Sequence, residues 1–173
     1  IVMLPDTPVK AAYLEAFSRW VDNGYKVTEG TGPCFKSDGT VFHHRRHYPA
    51  YAVDGFSGGA VNAVWLLSNT QFAVSAESHE NLKRALLEMR FYCNLRSFPL
   101  ALSGRHPDGK GALIPWHYAR LALAGSPDGR EAVDRAVVAL LDLVDHRVEQ
   151  QRDVGLGEHF VHQHHVEQHG ITL

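Results

Sequence analysis

Hydrophobic side chains recur at helical spacing along most of this chain, and the first such stripe is bounded at both ends. Thr7-Pro8 places a capping hydroxyl before a proline at the first helical position, and Gly24 supplies a stop. We therefore predict a helix from about residue 8 to residue 24. Its apolar stripe consists of Tyr13, Leu14, Phe17, Trp20 and Val21. Tyr13, Phe17 and, further along the chain, Trp65 are predicted to lie in the core rather than to form a ligand platform.

The same periodicity predicts four more helices. Residues 57–68 read as a buried helix, and Ser78 is a candidate cap for the next one. Helices at about 113–124 and 127–147 follow. The apolar positions of the helix after Ser78 are Leu82, Ala85, Leu86, Met89 and Cys93. No segment shows sustained period-two alternation with strand-like composition, so no strand is predicted.

Two long segments rich in glycine and proline, 25–50 and 97–111, separate these helices. Loops of such length inside a compact domain are usually functional or disordered. A simple four-helix bundle would not need them. The predicted fold class is therefore all-α, an array of helical hairpins or an α/α toroid with long functional loops.

Composition and charge restrict the function. At 173 residues, with 45% hydrophobic and 21% charged residues, the chain has the size of one globular domain. The formal net charge is −2, so no overall field attracts nucleic acid or a membrane surface, and no run approaches the roughly 20 apolar residues of a membrane span. Cys34 and Cys93 are predicted to be two free thiols rather than one disulfide.

Residues 43–51 read HHRRHYPAY, which gathers three histidines and two arginines beside two tyrosines. This cluster has two interpretations, a solvated loop or a site for an anion that offsets the repulsion among the cations. The second loop adds Arg105 and His106. Because helices hold both loops, we expect them to converge on one cleft. The cluster's members are His43, His44, Arg45, Arg46, His47, Tyr48 and Tyr51.

Histidine, tyrosine and arginine together suit the elimination of a sugar from a uronic acid polymer. An arginine fork neutralises the carboxylate, a neutral histidine removes the adjacent proton, and a tyrosine protonates the departing oxygen. Most glycoside hydrolases instead need two carboxylates beside the bond. Asp38, Asp54, Glu77 and Glu80 are available, although Asp54 is also a candidate cap for a helix near Gly55.

Three motifs together resemble the catalytic helical domain of polysaccharide lyase family 8, the hyaluronate, chondroitin and xanthan lyases, and most of all its chondroitin-cleaving members. They are SDGT at 37–40, a histidine seven residues before the second tyrosine of YPAY at 48–51, and SGRHP at 103–107. The resemblance covers about residues 35 to 108, with weaker helical similarity to about 145. It implies that residues 1–150 form part of an α/α toroid that cleaves glycosaminoglycans by β-elimination.

The resemblance also implies roles for single residues. His44 matches the family histidine that acts on the proton beside the carboxylate, Tyr51 the catalytic tyrosine, and Arg105 the arginine near the reacting sugar. The remaining residues of the two loops are expected to bind substrate; they are His43, Arg45, Arg46, His47, Tyr48 and His106.

Further expectations concern what surrounds this chain. The family site uses a glutamate from a following β-sheet domain, which no segment here matches, so we expect this chain to be part of a longer lyase. The expected partners are that remainder and an acidic polysaccharide, with no nucleic acid and no membrane. Family membership implies a secreted or periplasmic protein. No cofactor is expected, and a divalent cation is not indicated.

The segment 151–173 is rich in histidine and is predicted to be helical. His159, His162, His165 and His169 have the spacing of metal ligands on a helix face, but the segment has no cysteine and sits at a chain end, so a solvated or partner-facing helix is favoured and no metal site is predicted. Two alternatives to a lyase stay open: a non-catalytic toroid fragment that binds glycosaminoglycan, and a carboxylate-dependent hydrolase.

Overall fold

The computed structural model describes residues 1, 3–94, 96–104, 106 and 111–125. Five α-helices account for about half of them: α1 (Pro8–Gly24), α2 (Pro49–Gly55), α3 (Val61–Leu67), α4 (Ala76–Tyr92) and α5 (Pro115–Ala124). Three short strands lie between α1 and α2: β1 (Cys34–Phe35), β2 (Val41–His43) and β3 (Arg46–His47). A mostly helical fold is thereby confirmed, whereas the toroid stays a prediction. The helix predicted at 127–147 and the histidine-rich segment lie outside the described residues.

Helix α1 has the predicted bounds but not the predicted burial. The Thr7 hydroxyl accepts a hydrogen bond from the Lys10 backbone N–H at 3.4 Å, and the helix ends at Gly24. Val21 is buried, but Tyr13 is 54% and Trp20 73% exposed. The prediction that Tyr13 lies in the core was wrong, because no described element covers that side of α1. Phe17 and Trp65 are half-buried.

The next helical region begins earlier than predicted. Helix α2 starts at Pro49, passes through a π-helical turn (Phe56–Ala60) and continues as α3 to Leu67. Proline at the first helical position has a backbone angle suited to a helix start, so Pro49 opens a helix rather than closing a loop. Asp54 consequently lies inside α2, whose N-cap position is Tyr48, and not at the start of a helix, which corrects that prediction.

Helix α4 begins one turn earlier than Ser78 suggested. The Ser75 hydroxyl accepts a hydrogen bond from the Ser78 backbone N–H at 3.2 Å, so Ser75 is the cap and Ser78 lies in the first turn. Both serines have the chemistry of a cap, and periodicity alone does not separate positions one turn apart. The Asp22 carboxylate in α1 accepts from the Ser75 N–H at 2.8 Å, which ties α1 to the start of α4.

A three-stranded antiparallel sheet with order β1-β2-β3 corrects the prediction that the chain has no strands. Each strand has only two or three residues, too few to show an alternating pattern. In the β2–β3 pair, His43 lies opposite Arg46, so His44 and Arg45 alone form the turn. Both have positive φ values, +53° and +63°, which is the geometry of a type I′ hairpin turn.

The core lies where α3, α4 and α5 meet. Helix α3 packs against α5, and the Tyr118 hydroxyl of α5 donates a hydrogen bond to the Leu86 carbonyl of α4 at 2.7 Å. Deeply buried side chains of these three helices include Val61, Val64, Leu82, Ala85, Leu86, Met89, Tyr118 and Leu121. Because this packing holds α4 in place, side chains in its last turn can support the segments that they contact.

Two sequence predictions about thiols and membranes can be compared with these residues. Cys34 and Cys93 are both free thiols, as predicted. Cys93 is buried at the end of α4, and burial raises the pKa of its thiol to about 12. Among the described helices, none has the length and apolar character required to cross a bilayer.

Candidate active site

The hairpin and the first turn of α2 bring two histidines against one tyrosine. The His43 ring stacks on the Tyr51 ring with centroids 4.9 Å apart and an interplanar angle of 19°. The His44 ring meets the same tyrosine edge-on at 6.3 Å and 88°. Because α2 starts immediately after β3, Tyr51 in its first turn folds back over the hairpin. The predicted proton-transfer pair, His44 and Tyr51, therefore lies within one small cluster.

The turn that presents His44 is conformationally strained. Positive φ values are uncommon outside glycine; asparagine, aspartate and histidine adopt them more readily than other residues, and Arg45 belongs to none of these types. Such positions cost on the order of 1–3 kcal/mol each and concentrate at functional sites. The Arg45 Nε donates a weak hydrogen bond of 3.4 Å to the Thr31 hydroxyl, which ties the turn to the preceding loop.

A solvent-open depression of about 300 Å³ is lined by His44, Arg46, Tyr48 and Tyr51. The Arg46 guanidinium carbon lies 5.1 Å from the centroid of the Tyr48 ring, so the ring supports the cation at the rim. His43, His44, Arg45 and Arg46 are all exposed. The depression thus offers a phenol, an imidazole and a guanidinium to one visiting anion.

Tyr48 connects this cluster to the second loop. Its ring is only 2% exposed and packs edge-on against Tyr51 at 4.6 Å. A Cβ added to Gly104 would lie 2.0 Å from the Tyr48 hydroxyl oxygen, so the glycine backbone passes directly over this side chain. The described parts of the two loops therefore converge. Because Tyr48 is buried, it forms the floor of the site.

The SGRHP segment itself is only partly described. Arg105 lies outside the described residues, and its predicted role stays a prediction. His106 is half-buried, and its backbone N–H donates to the Ser103 carbonyl at 3.3 Å. Its Nε2 atom is buried and has no hydrogen-bond partner among the described residues. The contact of Gly104 with Tyr48 was missed at the sequence level, although a glycine directly before a candidate arginine was a usable signal.

His47, predicted to bind substrate, instead turns toward α4. Its Nε2 atom lies 2.8 Å from the Tyr92 hydroxyl, and its Nδ1 atom lies 3.1 Å from the Val41 backbone nitrogen. Burial lowers the pKa of His47, against smaller opposing effects from the Val41 backbone, Asp38 and Glu88. This placement favours a structural role for a neutral His47. Tyr92 was not recognised from the sequence at all.

A pH dependence of stability follows from the half-buried His47 and the buried His117. Burial, and then Arg120, lowers the pKa of His117. The unfolded chain binds protons at these two sites below a pKa of about 6.5, whereas the folded chain stays unprotonated until lower pH. We therefore expect the thermal midpoint to fall as the pH drops from about 7.5 to 5.5.

The control for this prediction is the single variant His117→Phe. It removes the contribution of His117 to the pH dependence and leaves that of His47. The thermal midpoint of this variant is therefore expected to change less steeply between about pH 7.5 and 5.5. The low pKa values of Asp6 and Asp38 act in more acidic solution and do not produce the same effect. A thermal midpoint that stayed level or rose toward pH 5.5 would contradict the prediction.

The four carboxylates that were candidates for hydrolysis do not line the depression. Asp38 accepts hydrogen bonds from the Thr40 N–H and hydroxyl at 2.9 and 2.7 Å, and these bonds lower its pKa. Glu80 pairs with Lys83 on α4. None of Asp38, Asp54, Glu77 and Glu80 is among the residues that line the depression. Within the described ranges, no group of three metal-ligating side chains is placed to hold an ion.

Comparison with known proteins gives consistent matches. The family model described as "Lyase, catalytic" matches residues 1–150. The chondroitin sulfate ABC exolyase of Bacteroides thetaiotaomicron is 52% identical over 139 residues, which cover 80% of this chain and 14% of that protein. The chondroitin sulfate ABC exolyase of Proteus vulgaris is 40% identical over 149 residues, covering 85% and 15%. This chain therefore spans only about one seventh of the length of these relatives.

A more distant relative is named an endolyase, whereas the two relatives above are named exolyases. The chondroitin sulfate ABC endolyase of Proteus vulgaris is 27% identical over 133 residues, which cover 74% of this chain and 13% of that protein.

Proposed function

The chain belongs to the lyase catalytic family, and from this membership we propose that it forms part of the active site of a polysaccharide lyase. The substrates proposed are glycosaminoglycans that contain uronic acid: chondroitin sulfate, dermatan sulfate and hyaluronan. The observation that carries the proposal is the cluster of His43, His44 and Tyr51 beside the exposed Arg46. The imidazole, phenol and guanidinium groups of this cluster suit a reaction that needs a base, an acid and a cation to neutralise an anionic charge.

The reaction begins with a hydrogen that becomes acidic only when the neighbouring carboxylate is neutralised. We assign that neutralisation to Arg105, whose planar fork matches a carboxylate. Neutral His44 then takes the proton from the ring carbon beside the carboxylate. The electron pair of that C–H bond forms a carbon–carbon double bond as the glycosidic C–O bond breaks.

The departing glycosidic oxygen requires a proton, which we assign to the Tyr51 hydroxyl. The products are an unsaturated uronate and a new hydroxyl end, with no water consumed. His43, stacked on Tyr51, orients the phenol ring, and Arg45, Arg46 and His106 contribute to binding the polymer.

The proposal also covers what surrounds this chain. We propose that it is a segment of an α/α toroid within a longer lyase that is secreted or periplasmic, and that a glutamate from another domain completes the site. The length of the relatives, about seven times the matched segment, supports this assembly.

The test incubates the full-length protein with chondroitin sulfate, dermatan sulfate or hyaluronan. Elimination creates a conjugated double bond, so near-ultraviolet absorbance is expected to rise in step with new reducing ends. The matched control is the same polymer with its carboxyl groups reduced to alcohols, on which no cleavage is expected. Reducing ends without absorbance would indicate hydrolysis. Neither signal, with binding retained, would indicate a non-catalytic protein.

A further inference from the structure

We propose that His47 and Tyr92 form a latch, a hydrogen-bonded pair that positions the catalytic hairpin on helix α4. Tyr92 is then a positioning residue for the proposed elimination, although it lines no part of the described depression. The inference rests on the proposed function for its catalytic consequence. The latch itself stands on the contacts alone.

The contacts join both ring nitrogens of His47. Nε2 lies 2.8 Å from the Tyr92 hydroxyl, and the two rings meet at 5.3 Å and 83°. Nδ1 lies 3.1 Å from the nitrogen and 3.2 Å from the carbonyl oxygen of Val41. In one tautomer the Val41 N–H donates to Nδ1 and Nε2 donates to the tyrosine. In the other, the tyrosine donates to Nε2, so either tautomer closes the latch.

The hairpin needs such an external contact. Strands β2 and β3 have only three and two residues, β1 adds only two more beside β2, and so small a sheet is marginally stable in water unless it packs against a helix. Its turn also holds His44 and Arg45 at positive φ, which costs further stability. Interactions outside the hairpin therefore have to offset both effects if His44 is to stay in place.

Helix α4 is a suitable base for the latch. Tyr92 is its last residue, and in the preceding two turns Leu86 and Met89 are almost completely buried. Tyr92 also contacts Phe98 at the start of the second loop, with ring centroids 6.3 Å apart. Burial raises the pKa of the Tyr92 phenol, so it keeps its hydroxyl proton at neutral pH.

The latch affects the site because neighbouring residues of β3 point to opposite faces of the sheet. Successive residues of a strand point to opposite faces, so anchoring His47 on α4 directs Arg46 to the other face, where it lines the depression. His43 lies opposite Arg46 in the same ladder, and His44 follows it. Tyr51, by contrast, is carried by α2. Releasing the latch therefore shifts His44 relative to Tyr51 rather than moving both together.

The first variant is Tyr92→Phe in the full-length protein, which removes the hydroxyl and keeps the ring. Small displacements of a catalytic group cost up to about 10²-fold in rate, so we expect kcat to fall roughly 10- to 100-fold. KM for chondroitin sulfate should stay within about twofold, since no contact with substrate is removed.

Tyr118→Phe is the matched control, because it likewise removes a hydrogen-bonded phenol hydroxyl, here one that donates to the Leu86 carbonyl of α4 away from the hairpin. It is expected to lower the thermal midpoint and leave kcat and KM unchanged. If Tyr92→Phe behaved in the same way, with lower stability and unchanged kcat, the latch would have no positioning role and the inference would be overturned.

A double-mutant cycle with His47→Phe tests whether the two residues act through one bond. The double variant should lose no more kcat than the worse single variant, since the second change removes nothing further. Fully additive losses would overturn the inference.

Hydrogen exchange of the backbone amides at 41–47 makes the latch testable without activity. Tyr92→Phe should accelerate this exchange and Tyr118→Phe should not; unchanged exchange in Tyr92→Phe would overturn the latch. If the unaltered protein formed no unsaturated product from any uronate polymer, the proposed function would fail. The exchange experiment would still decide the latch.

Discussion

Replacing Tyr51 with phenylalanine is expected to lower kcat on chondroitin sulfate by roughly 10²- to 10⁴-fold, the usual contribution of a positioned acid or base. The ring that stacks on His43 at 4.9 Å is retained, so the cluster keeps its packing. The change removes the hydroxyl that is proposed to supply the proton for the departing oxygen. Binding of the polymer, measured by calorimetry with the inactive variant, should remain within about threefold of the unaltered protein.

Tyr13→Phe provides the control for this experiment. Tyr13 is 54% exposed on α1 and belongs to no part of the proposed site, so its variant should keep full activity. The measurement is the initial rate of near-ultraviolet absorbance at saturating substrate, with binding followed separately. If Tyr51→Phe lost binding and turnover in equal proportion, Tyr51 would be a structural residue and the acid would have to be sought elsewhere.

The family was predictable from the sequence because its motifs are recognised by residue type and spacing. The run at 43–51 and the SGRHP segment indicated the family before any geometry was known, and the comparisons confirm that assignment. The bounds of α1 were predictable for a similar reason, since Thr7-Pro8 and Gly24 act through local backbone chemistry. Features that depend only on neighbouring residues, such as helix caps and short motifs, can therefore be predicted from the sequence.

What the sequence did not reveal depends on contacts between distant residues. His47 has the same chemistry as His43 and His44, and its contacts with Tyr92 and the Val41 backbone distinguish it as a structural residue. The strands were missed because their stability comes from pairing and from the latch rather than from propensity. The exposure of Tyr13 likewise depends on which element covers α1, which no periodicity specifies.

The second substitution with a large expected effect is Gly104→Ala, because the position of Gly104 leaves no room for a side chain. Alanine would place its Cβ 2.0 Å from the Tyr48 hydroxyl oxygen and 2.2 Å from the adjacent ring carbon. The Tyr48 ring cannot retreat easily, since it is 2% exposed and held by Tyr51 and Arg46. Overpacking of this kind costs about 1–3 kcal/mol. A positive φ of +65° adds about 1–2 kcal/mol for any residue with a Cβ.

We therefore expect Gly104→Ala to lower the free energy of unfolding by about 2–5 kcal/mol, the sum of those two effects. Displacing Tyr48 also moves Tyr51, with which it packs, so turnover by the folded fraction should fall by about 10²-fold or more. Denaturant unfolding measures the first quantity. Initial rates at a temperature where the variant is folded measure the second.

Gly30→Ala separates the steric clash from the backbone penalty. Gly30 has a similar φ of +57°, yet nothing lies within 4 Å of a Cβ built there, so alanine should cost about 1–2 kcal/mol and leave activity unchanged. In a Tyr48→Leu background, where the distal ring atoms are gone, the cost of Gly104→Ala should shrink toward the Gly30→Ala value. Equal costs at both glycines in the unaltered background would mean that Tyr48 yields freely, and that the second loop does not hold the floor of the site.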